Sequence, residues 1–448
     1  MRNILIIGAG KSTSYIVKYL VNKSAKENLF ITIGDIDIDN AKKLSTNSNK
    51  TKAIKFDILN EKTSSDYISK SDIVISMLPA RYHMYVAKQC LIYKKSLLTA
   101  SYISDEMYAL DSQVKKAGII FMNEIGLDPG IDHMSAMKII DQIKNDGNEL
   151  FMFKSYTGGL IAPESDNNLW NYKFTWNSRN VVLAGQGGDA KYIEEKKLKQ
   201  ISYKNLFKNI EPLEIQEYGK FEAYANRDSL KYRSIYNLDG IDTLFRGTIR
   251  RAGFSKAWDV FVTLGMTDDS YIIKDSNKMS NRDYIEHFLS SNSNQSTESK
   301  IKNKFGLNEK SVIWNKLLEL NIFDDKVKIP LNNATPAQVL EYILLQKWKL
   351  EKDDKDMVVM CHKFGYKKNN KLYQIDSTMV SIGEDETYTA MAKTVGLPLA
   401  IATLAILNNL IKSAGVQLPV SREIYLPILK ELEEYQISFK EKIIPFKL

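Results

Sequence analysis

Asn3-Ile4-Leu5-Ile6-Ile7-Gly8-Ala9-Gly10-Lys11-Ser12-Thr13-Ser14-Tyr15-Ile16-Val17-Lys18-Tyr19-Leu20 is the stretch that decides the fold class. A short apolar run, residues 3–7, meets Gly8-x-Gly10, and a helical pattern follows through Leu20. In a strand–turn–helix of this kind the first glycine permits the tight turn. The second lets a pyrophosphate approach the backbone, and the helix start offers N–H groups and partial positive charge at Lys11, Ser12 and Thr13. Thr13 stands where G-x-G-x-x-G has its third glycine, a position that serves packing rather than phosphate contact. Gly10-Lys11-Ser12 is not a P-loop, because that motif needs glycine where this chain has Leu5.

Further buried strands are expected at Leu29–Ile33, Lys52–Asp57, 72–78, Ser96–Ala100 and Gly118–Asn123, most of them separated by helices. Continuous apolar strands alternating with helices imply a parallel sheet covered on both faces, an α/β fold with a Rossmann-like nucleotide domain. Asp35 ends the second strand at the right distance for the adenosine ribose hydroxyls, and a carboxylate there repels a 2′-phosphate, so the expected cofactor is NAD(H) or NADP(H), leaning towards NAD(H). The bland alternative is a plain βα turn with Asp35 or Asp37 capping the next helix. Asp57 either borders the adenine or caps a loop. Met77, Leu78 and Pro79 end the fourth strand and are expected to floor the nicotinamide pocket, with Asn123-Glu124 nearby.

The rest of the composition narrows the field. The chain has 448 residues, 44% hydrophobic and 26% charged, which suggests about three domains. A net charge of +8 is too dilute over this length to imply nucleic acid, though it suits an acidic small substrate. Cys90 and Cys361 are too few for a disulfide framework. His83, His133, His287 and His362 show no metal-ligand spacing, so no metal is expected. The N-terminus lacks a signal-peptide layout, and the longest apolar run, around Gly396–Leu407, is about twelve residues, short for a bilayer. A cytoplasmic protein without membrane or nucleic-acid partners is expected.

Beyond a helix at 131–145, residues 150–261 are rich in aromatics, glycines and short strands, and 280–350 are mostly helical. The polar stretch Ser290–Ser299 reads as a loop. Asp356–Gly365 and Lys371–Ile382 read as a hairpin joined by Lys367-Lys368-Asn369-Asn370, and Tyr388–Ser413 and Ile424–Lys442 as closing helices.

Several ordered segments resemble the saccharopine dehydrogenase family, in its glutamate-forming branch. They are 99–134 (Thr-Ala-Ser-Tyr-Ile-Ser-Asp through Asn-Glu-Ile-Gly-Leu-Asp-Pro-Gly-Ile-Asp-His-Met), 155–164 (Ser-Tyr-Thr-Gly-Gly-Leu-Ile-Ala-Pro-Glu), 171–179 (Asn-Tyr-Lys-Phe-Thr-Trp-Asn-Ser-Arg), Asn226-Arg227-Asp228-Ser229 and Arg246-Gly247-Thr248-Ile249-Arg250. The resemblance implies three domains: 1–130 with about 400–448 for the dinucleotide, 131–275 with about 355–399 for substrate binding and dimerisation, and 276–354 as a helical insertion. It implies a nicotinamide-dependent reduction of the imine of 2-aminoadipate 6-semialdehyde and glutamate to saccharopine, or the reverse, and a homodimer.

That chemistry needs a proton-exchanging group and cations for up to three carboxylates. Asp128 and Tyr102 are the acid–base candidates. For Asp128 the competing reading is a helix N-cap before Pro129. Arg227, with a guanidinium fork that matches a carboxylate, is the best clamp, unless it merely pairs with Asp228. Ser101, Thr157, Gly158 and Arg246 complete the expected substrate site. Arg246 and Arg250 are read as ligands or as a solvated face, and Gly158-Gly159 as an anion-approaching backbone or a turn. Thr157 stands where many relatives carry Cys, which weakens an acid role there. His83 is expected to cap or pack, His133 to be structural, and Trp170 and Trp176 to pack. The alternatives are a carboxynorspermidine- or homospermidine-type imine reductase, favoured by an acidic pocket, and a non-catalytic dinucleotide-sensing protein.

Overall fold

The computed structural model describes residues 1–45, 48–290 and 295–446. The chain parts into two compact units, Met1–Leu150 with Tyr366–Leu448, and Phe151–Gly365. The three-domain expectation divides the chain differently: the helical stretch 276–354 falls inside the second unit, and the 131–145 helix inside the first.

The first unit opens with β1 (Arg2–Ile7), α1 (Ser14–Glu27), β2 (Leu29–Asp35), β3 (Thr51–Lys55) and β4 (Ile73–Ser76). Then come α2 (His83–Ile92), β5 (Ser96–Leu98), β6 (Ile120–Met122) and α3 (Ile131–Asn145). Ile4–Ile7 and Ile73–Ser76 are buried throughout, as central parallel strands require. α1 stops at Asn28, whose left-handed φ of 50° lets its N–H reach the Ser24 carbonyl.

The second unit is built on β7 (Glu149–Ile161), β8 (Ala190–Glu194), β9 (Lys197–Ile201), β10 (Ile210–Ile215), β11 (Gly219–Ala225) and β12 (Thr243–Arg251). α4 (Phe254–Leu264), α5 (Pro336–Trp348) and β13 (Asp356–Lys368) follow. The strands run in the order β10-β11-β12-β7-β13, with β7 and β12 parallel and β10, β11 and β12 antiparallel. An aromatic core stands beside them: the Trp170 ring stacks on Phe261 at 5.7 Å and meets Trp348 edge-on at 5.1 Å, so Trp170 packs as expected. Within it Lys173 pairs with Asp354 at 2.6 Å, both buried. Of the stretch 290–299, residues 291–294 lie outside the described residues, and a helix starts at Thr297.

The chain re-enters the first unit at Tyr366, within β13, and then turns at Asn369-Asn370, both at positive φ (49° and 62°), into β14 (Lys371–Ile382), α6 (Ala390–Leu407), β15 (Gly415–Gln417), α7 (Arg422–Glu434) and β16 (Lys440–Pro445). Two expectations need correction. The last helix ends at Glu434, Gln436 turns to φ 61°, and Lys440–Pro445 form β16, antiparallel to β14. α6 has 18 residues and is long and apolar enough to cross a membrane, contrary to the twelve-residue run read from sequence; most of it is buried and it packs along α1.

The first unit's sheet has the order β15-β6-β5-β4-β1-β2-β3, parallel throughout. From β1 the chain first builds outward through β2 and β3, then crosses to β4. The carboxyl ends of β1 and β4 therefore flank the topological switch point, where open α/β sheets bind their ligands.

Candidate active site

The Gly8–Thr13 loop sits at that switch point. A Cβ on Gly8 would lie 2.8 Å from the Met77 carbonyl oxygen, and its φ of 103° favours glycine besides. A Cβ on Gly10 would meet nothing within 4 Å. Gly8 is thus demanded by the protein itself, whereas Gly10 leaves an open approach to the start of the helix, which fits a dinucleotide pyrophosphate. Thr13 is buried and donates its hydroxyl to the Gly8 carbonyl at 3.0 Å, so it braces the turn from below. The close helix approach lies instead at Gly396 of α6, where a Cβ would come within 3.1 Å of the Ile16 nitrogen. Lys11 is exposed and Ser12 half-buried beside this opening.

Asp35 reaches back to the same loop. Its Oδ2 accepts the Ala9 N–H at 2.7 Å and its Oδ1 accepts the Asp37 N–H at 2.9 Å. Asp35 therefore does not cap the next helix; Asp37 does, accepting from the Asp39 N–H at 3.0 Å. Asp57 accepts the Leu59 N–H at 2.9 Å, the loop-capping alternative of its two readings. Met77 and Leu78 are half-buried and Pro79 is exposed along the ledge that faces Gly8.

The ends of β4, β5 and β6 carry a hydrogen-bonded cluster. His83 Nδ1 lies 2.9 Å from the Ser76 Oγ, and Nε2 lies 2.7 Å from the Ser101 Oγ and 3.1 Å from the Thr99 Oγ1. Burial pushes the imidazole down to about 4, so it is neutral at physiological pH. His83 begins α2, but it joins three hydroxyls rather than capping, a role that spacing alone gave no sign of. Glu124 holds the same segment from the other side. Its Oε1 accepts the Ile103 N–H at 2.9 Å, its N–H donates to the Ser101 carbonyl at 3.2 Å, and its Oε2 meets His133 Nε2 at 2.8 Å. His133 is structural, as expected. Asn123 is buried and donates to the Phe121 carbonyl.

Between these braces Tyr102 is 38% exposed and donates its hydroxyl to the Asp128 Oδ1 at 3.3 Å. Asp128 is half-buried and is not a helix cap: α3 starts at Ile131 with Gly130 as the cap residue, whose N–H is taken by Asp132 at 2.6 Å. The competing reading of Asp128 fails on this point.

In the second unit Thr157 pairs with Thr248, and Ser155 with Arg246, in register between β7 and β12. Alternation along β12 puts Arg246, Thr248 and Arg250 on one face, so Thr157 shares it. Arg246 and Arg250 are both buried, which overturns the solvated-face reading. The Arg246 guanidinium lies 4.3 Å from the Tyr232 ring centre, and that of Arg250 lies among Tyr172, Tyr224 and Phe254. The buried Thr157 hydroxyl has no hydrogen-bond partner among the described residues. Gly158 and Gly159 lie inside β7 and not in a turn, and a Cβ on Gly158 would stand 2.5 Å from the Ile249 carbonyl oxygen; close strand packing accounts for that glycine. Arg227 is exposed at φ 49°, and Asp228 caps the Leu230 N–H at 2.9 Å.

A family model described as "Saccharopine dehydrogenase NADP binding domain" matches residues 4–122, and one described as "Saccharopine dehydrogenase C-terminal domain" matches residues 126–437. The saccharopine dehydrogenase [NADP(+), L-glutamate-forming] of Saccharomyces cerevisiae is 34% identical, with 99% of each chain covered. That of Schizosaccharomyces pombe is 33% identical over 99% of each. The apo structure of the Saccharomyces cerevisiae enzyme superposes with a TM-score of 0.88, covering 99% of this chain and 100% of that one. A homospermidine synthase from Legionella pneumophila, in complex with NAD, shares the fold at a TM-score of 0.55 with 10% identity, covering 99% of this chain and 92% of that one.

Proposed function

Because this chain belongs to the saccharopine dehydrogenase family, we propose that it interconverts saccharopine with glutamate and 2-aminoadipate 6-semialdehyde. The chain is a nicotinamide-dependent oxidoreductase acting on a CH–NH group. In the oxidative direction saccharopine gives up a hydride and a proton, and water then divides the resulting imine into amine and aldehyde. Bound at the Gly10 opening, the nicotinamide dinucleotide supplies or takes the hydride.

The observation that carries the reading at the level of residues is the Tyr102–Asp128 pair at the carboxyl ends of the parallel strands. Asp128 exchanges protons with the substrate nitrogen and with the attacking or leaving water, and Tyr102 fixes its carboxylate through the phenol hydroxyl. Arg227 and Arg246 hold substrate carboxylates, with Ser101 and Thr157 adding hydroxyls. Buried guanidinium on β12 supports a carboxylate-rich substrate and speaks against the polyamine alternative, which needs an acidic pocket. The acid–base pair likewise has no use in a protein that only senses dinucleotide.

The family description and the names of the fungal relatives lean towards NADP(H). The local chemistry of this chain supports NAD(H). Gly34 through Ala41 read Gly-Asp-Ile-Asp-Ile-Asp-Asn-Ala, three carboxylates and no Lys or Arg to neutralise a 2′-phosphate. Asp35, held by the Ala9 amide, retains lone pairs for ribose hydroxyls. A homodimer acting in the cytoplasm completes the proposal, on the general prevalence of twofold assemblies.

The test is saccharopine oxidation followed by reduced-nicotinamide absorbance and by glutamate release, with NAD⁺ and NADP⁺ in parallel. Saccharopine-dependent turnover with a higher kcat/KM for NAD⁺ is expected. No turnover with either coenzyme refutes the reaction, and a preference for NADP⁺ refutes the coenzyme assignment alone.

A further inference from the structure

We propose that a cleft between α1, α6 and the end of α7 is a binding site for an ω-amino carboxylate, a small molecule with an acid group at one end, an ammonium at the other and an apolar chain between them. Lysine and ornithine carry the same two ends. The cleft has a volume of about 230 Å³ and lies wholly in the first unit. It runs along one face of α1, from Tyr15 through Lys18 and Tyr19 to Asn22. It includes none of the residues of the dinucleotide or substrate positions.

The two ends of the cleft carry opposite surplus charge. At the α6 end the Lys18 ammonium lies 3.0 Å from the Glu384 Oε1 and 2.9 Å from its Oε2, and the Tyr15 hydroxyl donates to Oε1 at 2.6 Å. Glu384 is thus occupied by Lys18. Lys393, half-buried at the end of the first turn of α6, has no hydrogen bond or ion pair for its ammonium among the described residues. Burial holds its pKa below the ordinary lysine value, and Lys18 pushes the same way against the pull of Glu384. Two ammonium groups therefore stand against one carboxylate, near a helix start that itself favours an anion. An incoming carboxylate relieves both.

At the α7 end the balance is reversed. Glu431 is matched by Lys23 at 3.0 Å and by the Tyr19 hydroxyl at 2.6 Å. Glu434 is exposed at the last position of α7, and no ion pair holds it among the described residues. A helix C-terminus disfavours a carboxylate and favours a cation, so an ammonium is the partner this end lacks. Between the ends lie the buried Leu397 and the rings of Tyr15, Tyr19 and Tyr435, the last two 5.7 Å apart between centroids. The Tyr15–Asn22 face covers about 10 Å of helix axis, room for an aminohexanoate laid lengthwise. A simple anion leaves Glu434 unanswered, and a simple amine leaves Lys393.

Saturation-transfer NMR on the full chain, free of coenzyme and substrate, reads the binding of 6-aminohexanoate, hexanoate and hexylamine. 6-Aminohexanoate should saturate with a Kd of about 1 mM, and each one-ended probe should bind at least about tenfold more weakly. Lys393→Gln and Glu434→Gln should each weaken 6-aminohexanoate roughly 10- to 100-fold, the value of a contact between charged groups. Neither should lower the melting temperature or alter saccharopine kinetics, since each removes a charge without a partner at the unfavourable end of its helix. Hexylamine should bind Lys393→Gln as it binds the wild type, which assigns the ammonium end to Glu434. Absence of saturable binding, hexanoate as tight as 6-aminohexanoate, or indifference to both substitutions would overturn the proposal. So would displacement of 6-aminohexanoate by saturating saccharopine or dinucleotide, which would place the probe in the reaction site. No turnover enters these readings, so the cleft and the proposed reaction stand or fall separately.

Discussion

Tyr102 donates its hydroxyl to the Asp128 carboxylate across 3.3 Å, joining the loop after β5 to the loop after β6. The two residues are 26 apart in sequence; His83 holds Ser101, Asp132 holds the Gly130 amide, and Glu124 ties the two loops together through the Ile103 N–H and the Ser101 carbonyl. A carboxylate held at a fixed place beside a substrate nitrogen is what proton exchange requires. Asp128→Asn keeps the shape and removes the proton-accepting oxygen. It should lower kcat by about 10²–10⁴-fold and leave the saccharopine KM nearly unchanged. Tyr102→Phe should cost less in kcat, since the carboxylate remains. Steady-state kinetics of both variants decide this; an Asp128→Asn enzyme with wild-type kcat would remove Asp128 from the mechanism.

The two glycines of the phosphate loop should fail in different ways. A methyl on Gly8 runs into the Met77 carbonyl at 2.8 Å on a backbone that only glycine adopts comfortably, so Gly8→Ala should lower the melting temperature as well as dinucleotide affinity. A methyl on Gly10 meets no protein atom within 4 Å, in the opening proposed for the pyrophosphate. Gly10→Ala should melt like the wild type and bind dinucleotide at least tenfold more weakly, on the order of 1.4 kcal/mol. Equal behaviour of the two variants in thermal melts and coenzyme titrations would contradict this division.

The first unit was largely legible because its signals are local. Five of the six N-terminal strands are largely buried apolar runs, with β3 burying only Ile54, and the Gly8-x-Gly10 turn, Asp35 and the 131–145 helix fall where the sequence puts them. Pairing across long separations left no such mark. β15 adds to β6 and β16 to β14 through backbone hydrogen bonds that any short polar strand can make, so neither stood out from the helices around it. At the site, Asp128 and Tyr102 were readable as residue types in a family-like segment. The partnership of His83 with Ser76, Thr99 and Ser101 was not, because hydroxyls have no fixed spacing and four chain positions converge only when β4, β5 and α2 are assembled. Burial of Arg246 and Arg250 was invisible for the related reason that strand periodicity assigns a face but not what covers it.

The guanidinium groups of the second unit should separate by stability as well as by affinity. Arg227 is exposed on a surface turn. Arg227→Ala should therefore raise the saccharopine KM by roughly 10- to 100-fold, the weight of a charged hydrogen bond, and shift the melting temperature little. Arg246 is buried against Tyr232, so Arg246→Ala also opens a cavity and strips a cation–π contact. It should destabilise the fold by about 2–4 kcal/mol in addition to weakening substrate. Differential scanning fluorimetry alongside kinetics distinguishes the two, and an Arg227→Ala enzyme with unaltered KM would show that the exposed arginine is not a clamp.

Acid stability should report on His83. Its folded pKa is pushed down to about 4 by burial, against about 6.5 in an unfolded chain, so between those values the unfolded state binds the proton and the folded state does not. The neutral ring thus contributes stability that is fully present above pH 6.5 and is lost as pH falls towards 4. The loss amounts to about 3 kcal/mol over that window. Glu27 and Asp111, whose ion pairs hold their carboxyls below the usual range, also lose stability on acidification, but they do so equally in a variant that lacks only the imidazole. Chemical unfolding of wild type and His83→Gln at pH 7.5, 6.5, 5.5 and 4.5 isolates the histidine as the difference between two curves. The wild type should lose stability faster below pH 6.5, and the gap between the two proteins should narrow or invert by pH 4.5. Parallel curves would mean that the ring titrates normally in the folded protein, and the hydroxyl cluster around it would then have to accommodate an imidazolium.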